Sequence, residues 1–121
     1  MKVVKISDLP KEPESNPIFV GGQVTRQKVL DAADVQDFNV GLIGFSAGSK
    51  NRWHTHTTDQ ILIVTEGSGT VTTEQEGECS ISVGDIVLIP AGQKHWHGAP
   101  GATPMTHLAI TGKSSQTRIE D

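Results

Sequence analysis

Thirteen glycines and six prolines interrupt this chain of 121 residues, and the runs between them are short, apolar and rich in Val, Ile and Thr. Glycine and proline disfavour helix interiors, whereas β-branched residues suit a pleated surface, so the pattern specifies many strands joined by tight turns, with little helix. Strands are expected at Ile18–Val20, Gln23–Leu30, Phe38–Phe45, Arg52–His56, Gln60–Glu66, Gly69–Glu74, Glu78–Val83, Ile86–Ile89, His95–Ala99 and Met105–Thr111. The glycines in "EGSG" (66–69) and "QEGE" (75–78) are placed for hairpin turns, and "DAADVQD" (31–37) for a helical turn. So many short strands in a chain of single-domain size indicate an all-β barrel or sandwich of jelly-roll type.

The ends read differently. Residues 1–17 open with an initial strand in KVVKI and continue through a proline-rich arm, "PKEPESNP", which is not expected to form regular structure. Residues 18–111 form the barrel, and residues 112–121 are expected as a flexible polar tail. Within the barrel, "ILIVT" (61–65) and "DIVLIP" (85–90) are apolar at consecutive positions, which implies that both faces of those strands are covered. The N-terminal arm is one candidate cover and a second subunit the other; a homo-oligomer, dimer or tetramer, is favoured.

A net charge of -4 with no Lys/Arg cluster argues against nucleic-acid or membrane-surface partners. The first residues lack the apolar run of a signal peptide and no segment approaches a membrane span. Cys79 is the single cysteine, which suits a cytoplasmic setting and reads as a small hydrophobe in a strand.

Chemistry concentrates in the histidines. Four of the five lie in two His-X-His pairs, His54/His56 and His95/His97, and strand parity turns both rings of a pair to one face. Trp53, Thr55 and Trp96 then face the other way, as packing residues. One pair, with Gln60 on the next strand and His95 on a distant one, supplies three imidazoles and one carbonyl oxygen to a divalent metal, with positions left open for a small-molecule substrate or water. An amide ligand leaves the ion's charge uncompensated and makes it a stronger Lewis acid than a carboxylate would. The donor set suits Mn or Fe and is compatible with Ni or Zn. His97 shares the parity of His95 and is a candidate general base or an orienting residue; parity does not decide which way His107 faces.

These segments carry a resemblance. Gly48, five residues, His54-Thr55-His56, three residues, Gln60, six residues and Gly67 resemble the first motif of the cupin family, with Gln in place of its usual Glu. Gly84, five residues, Pro90-Ala91-Gly92, two residues, His95, three residues and Ala99 resemble the second motif, which usually ends in Asn. The resemblance implies a double-stranded β-helix whose interior holds a divalent metal at His54, His56, Gln60 and His95. "RWHTHTTDQILIVTEGSGTV", "PAGQKHWHGA" and "PMTHLAI" are similar to one-domain cupins that include manganese-dependent hydroxynitrile lyases. That likeness implies manganese as the preferred metal and His97 and His107 as active-site histidines. It also places Gly41 and Ile43 in a substrate pocket and sets Thr111 where those lyases carry a nearby Gln. The implied function is cleavage or formation of cyanohydrins. The alternatives are a metal-dependent oxygenase and a non-catalytic small-molecule-binding cupin.

Overall fold

The computed structural model describes residues 1–121 and is built almost entirely of strands. They are β1 (Glu12–Pro13), β2 (Phe19–Val20), β3 (Val24–Gln27), β4 (Phe38–Phe45), β5 (Ser49–Asn51), β6 (His54–His56), β7 (Gln60–Thr73), β8 (Gly77–Ser82), β9 (Ile86–Ile89), β10 (His95–Ala99), β11 (Met105–Gly112) and β12 (Thr117–Ile119). Helix is confined to two short 3-10 turns, Ile6–Asp8 and Ala32–Asp34, the second within the expected helical turn. All pairings are antiparallel, and most neighbours are distant in sequence: β4 and β7 flank β11, while β7, β5 and β6 flank β10. The curled sheets enclose an apolar core in which Phe45, Leu62, Val64, Ile89 and Met105 are almost fully buried.

The jelly-roll expectation holds, with instructive differences. "EGSG" is not a hairpin, because β7 runs unbroken from Gln60 to Thr73. Its first half pairs with β11 and β9, its second with β10 and β8. One strand therefore serves both sheets, and the bend between the halves falls where the register with β11 slips, between Thr106 and His107. Gly67 sits in this bend at φ +68°, where any Cβ would meet the Pro104 carbonyl oxygen, so only glycine fits. The "QEGE" turn does join a hairpin, β7 to β8.

At the N-terminus, KVVKI forms no strand; the proline-rich arm instead contributes β1, pairing Glu12 and Pro13 with Arg26 and Thr25. Proline is tolerated there because β1 lies at a sheet edge. The C-terminal segment is likewise not a loose tail: β12 pairs Thr117 with His56 and Ile119 with His54. A strand of three residues with a single apolar one, Ile119, carries too little alternation to announce itself and exists because β6 offers it an edge.

The apolar runs are covered on one side only within a single chain. Inward-facing Leu62 and Ile89 are buried, but Ile61, Ile86 and Leu88 on the outside are 36%, 70% and 63% exposed. Cross-strand pairs extend this outer face: Leu88, Ile61, Ile110 and Val40 form one row, and Ile86, Ile63, Leu108 and Leu42 a second. The N-terminal arm reaches one end, where Gln27, the partner of Leu42, donates to the carbonyls of Ile6 and Leu9. The β9 end is left bare.

Candidate metal centre

Antiparallel pairing of β6 with β10 sets His54 opposite His95, and the alternation of each strand turns His56 and His97 to the same interior. Ring centroids of His54 and His95 are 4.2 Å apart, those of His54 and His56 4.8 Å, and those of His56 and His95 5.3 Å. Ligand atoms of His54, His95 and His97 also lie within 4.8 Å of one another. Gln60, at the start of β7, is 5% exposed and reaches the same cluster. Two of the sequence's expectations, His-X-His pairs on one face and Gln60 beside them, are thus realised in space.

Hydrogen bonds sort these rings. A backbone carbonyl only accepts, so His54 Nδ1 donates to Arg52 O at 2.7 Å and His95 Nδ1 donates to Gln93 O at 2.8 Å. In each neutral ring the lone pair is therefore on Nε2. His56 Nδ1 lies 2.9 Å from Thr117 Oγ1 on β12, and its Nε2 is buried without a partner. At 3.2 Å, His95 Nε2 faces Gln60 Oε1, so two acceptors meet unless the amide turns its NH2 inward. A cation held by both removes that conflict. Three imidazoles oriented through Nδ1, an orphaned Nε2 and an amide oxygen form a donor set that fits a divalent metal.

His97 is engaged differently. Its backbone N–H donates to Asn51 Oδ1 at 2.8 Å, which orients the amide, and Asn51 Nδ2 faces His97 Nε2 at 3.1 Å. The amide N–H makes Nε2 the accepting nitrogen. The His97 proton is then on Nδ1, which donates to His107 Nε2 at 2.9 Å. His107, on β11 opposite Ile43 and Val64, is fully buried and faces inward, which settles the question its parity left open.

Every ring is held neutral near pH 7. Burial is the main cause, and it lowers His54 to about 3, with further depression from His95. His56 falls to about 4 through burial and then His95, and His107 to about 4 through burial. Burial also lowers His95 and pushes His97 well down, the latter aided by His107. Neutral imidazoles are what both metal ligation and proton acceptance require.

His54, His56, His97 and His107 line a cavity of about 240 Å³, together with Ile43, Phe19, Thr117 and Arg26. Of the expected pocket residues, Ile43 lines it, Gly41 lies under the Arg26 guanidinium, and Thr111 pairs with Gln60 without lining it. Asn51, Thr117 and Arg26 were not expected from sequence. Arg26 had one usable signal: it shares strand parity with Val24, a core residue.

Comparison with known proteins agrees with the architecture. Residues 41–111 match the family model described as Cupin domain. Over 68 residues the chain is 47% identical to (R)-mandelonitrile lyase of Granulicella tundricola, covering 56% of this chain and 52% of that one. It is 37% identical over 57 residues to gentisate 1,2-dioxygenase of a Ralstonia species, covering 47% of this chain but 16% of that protein. The match thus spans about half the length of the first curated relative and a small part of the second. Among solved structures, a cupin-like protein of Thermotoga maritima superposes with a TM-score of 0.80 at 28% identity, over 90% of this chain and 86% of that one. A polyketide cyclase of Streptomyces resistomycificus superposes with a TM-score of 0.88 at 21% identity, over 100% of this chain and 86% of that one, a likeness of fold. With its family model matched over more than half its length and its jelly-roll barrel closed around a histidine cluster, the chain belongs to the cupin family.

Proposed function

We propose that the protein is a metal-dependent lyase that cleaves or forms cyanohydrins, with the metal at His54, His56, Gln60 and His95. The observation that carries this reading is the division of labour among the histidines. His54 and His95 carry their lone pairs on Nε2 and His56 leaves its buried Nε2 without a partner, while both ring nitrogens of His97 lie within hydrogen-bond distance of protein groups. Partial identity to a mandelonitrile lyase supports the choice of reaction.

A divalent ion, manganese by preference, supplies Lewis acidity at a substrate oxygen when bound there. The chain's own groups handle the proton. His97 lines the cavity and Nε2 is its accepting nitrogen; in this reading a substrate hydroxyl takes the place of Asn51 Nδ2 as the donor. As the hydroxyl proton passes to Nε2, the carbonyl forms and the C–C electron pair leaves with cyanide. The resulting imidazolium keeps its Nδ1–H on His107 Nε2, so His107 fixes the tautomer and disperses the charge. Returning the Nε2 proton to cyanide completes the cycle, and addition runs through the same groups. Ile43 belongs in this reading to the substrate-contacting wall, Gly41 seats the Arg26 side chain beside it, and Thr111 stands outside the cavity.

The test is release of benzaldehyde from mandelonitrile by protein stripped of metal and reloaded with manganese, against the stripped protein at the same pH. Release that appears only after reloading is expected. Equal release with and without the metal overturns the assignment. An oxygen-dependent reaction is the second reading, favoured by the partial match to a dioxygenase; it predicts turnover that stops under anaerobic conditions, which the lyase does not.

We further propose that the outer rows ending at Ile61, Ile86 and Leu88 are covered by a second copy of the chain, since the arm reaches only the Leu42 end. Sedimentation should show a dimer that Leu88→Lys converts to monomer; a monomeric wild type removes the idea.

A further inference from the structure

Among the side chains that line the cavity, Arg26 is the one that carries a permanent charge. It lies on β3 opposite Ile43, and Ile43 in turn lies opposite His107, so one inward row crosses from the arginine to the histidine pair. Two strand spacings separate the ends of that row, on the order of 10 Å between Cα positions. The Arg26 backbone is therefore too far from the histidine cluster to belong to it, while its side chain shares the cavity.

The guanidinium is held in a definite way. Nε donates to Glu14 Oε1 at 2.6 Å, which leaves the two Nη groups as a free fork. Nη1 lies over Gly41: a Cβ there would come within 2.6 Å of it. Residue 41 thus clears a berth on β4 for the arginine. Glu14 is not needed to fasten the arm, since its own N–H donates to Val24 O and Glu12 and Pro13 pair with β3. The ion pair instead aims the fork.

We propose that Arg26 is a carboxylate-binding subsite, and that the substrate is a small oxo or hydroxy compound bearing a carboxylate a few bonds from the carbon that reacts at the histidine cluster. This rests on the proposed metal centre for the reacting end and on Arg26 alone for the other. An Nη fork matches the two oxygens of a carboxylate in a bidentate pair. The Glu14 charge beside it offsets part of the guanidinium's positive charge, which selects a monoanion over a phosphate dianion. A cavity of about 240 Å³ is below the ~300–1,000 Å³ of drug-sized sites, so the ligand is small.

Levulinate (4-oxopentanoate) and its neutral methyl ester are the probes, titrated by calorimetry into metal-free and manganese-loaded protein. Metal-free wild type should prefer levulinate by about ten-fold or more, the value of one charge-assisted pair. Arg26→Gln should abolish that preference while binding the ester as before, and Gly41→Ala, which displaces the guanidinium without removing it, should weaken it. Thermal melts establish that each variant is folded, and Gly41→Ala keeps the test open if Arg26→Gln is not. Equal binding of acid and ester, or a preference that survives Arg26→Gln, overturns the subsite. A preference that appears only with manganese and ignores Arg26→Gln also overturns it, by sending the carboxylate to the metal. Failure to take up manganese counts against the metal centre alone, because the Arg26 comparison is made in metal-free protein.

Discussion

The two His-X-His pairs are written alike and used differently. His54 and His56 on β6 each bond through Nδ1, one to a carbonyl and one to a hydroxyl, and neither Nε2 reaches another protein hydrogen-bonding group. On β10, His95 likewise bonds through Nδ1 to a carbonyl, with Gln60 Oε1 facing its Nε2, but His97 meets Asn51 at Nε2 and His107 at Nδ1. The spacing brings four rings to one interior, and the neighbouring strands decide what each ring does. A metal ligand needs one nitrogen oriented and the other bare, whereas a base needs its tautomer held and its lone pair reachable.

The largest effect expected from this contrast is at His95. His95→Ala removes the ring nearest His54 and the one facing Gln60, and should weaken manganese binding by more than about 100-fold, beyond the loss given by removing an outer partner. Metal content after dialysis measures it; a His95→Ala protein that keeps its manganese while His97→Ala loses it would reverse the assigned roles.

His97→Asn should do the opposite. Metal content stays near that of wild type, while metal-dependent turnover of mandelonitrile falls by about 10²–10⁴, the usual contribution of a positioned base. Loss of metal and activity together would merge His97 with the ligands.

The contrast sharpens further at β12. Thr117→Val removes the partner of His56 Nδ1 and should weaken manganese binding by about ten-fold, with Tm little changed because Thr117 is exposed. An unchanged affinity would mean that His56 orients itself.

The smallest effect concerns stability. His107 is held down to about 4 by burial, against an ordinary value near 6.5. The unfolded chain takes up this proton near pH 6.5 and the folded chain near pH 4, so the neutral ring's contribution is present above 6.5 and is lost as pH falls through 4. In metal-free protein, the fall in Tm between pH 7 and 4 should be smaller for His107→Asn by several degrees. Parallel curves for the two proteins would show that His107 is not the titrating group.

Much of this arrangement is legible before folding. Phe38–Phe45, Ile86–Ile89 and His95–Ala99 begin and end where their apolar or histidine patterns do. Period-two parity was enough to turn His54 and His56 to one side, and likewise His95 and His97. Other features are hidden because they depend on a partner rather than on a pattern. Ser49–Asn51 and Thr117–Ile119 are triplets with at most one apolar residue that become strands through backbone pairing with β10 and β6. β7 reads as two strands because Gly67 and Gly69 look like a turn, yet the register slip beside β11 absorbs the bend and the chain continues.

The amino-acid sequence by itself determined the all-β class, the motif spacing and the set of histidines available for chemistry, because alternation and turn chemistry are properties of neighbouring residues. Which nitrogen each histidine uses was decided only by tertiary structure. Asn51, Thr117, His107 and Arg26 come from four different strands, and hydrogen bonds of about 3 Å between such residues exist only once the barrel has closed.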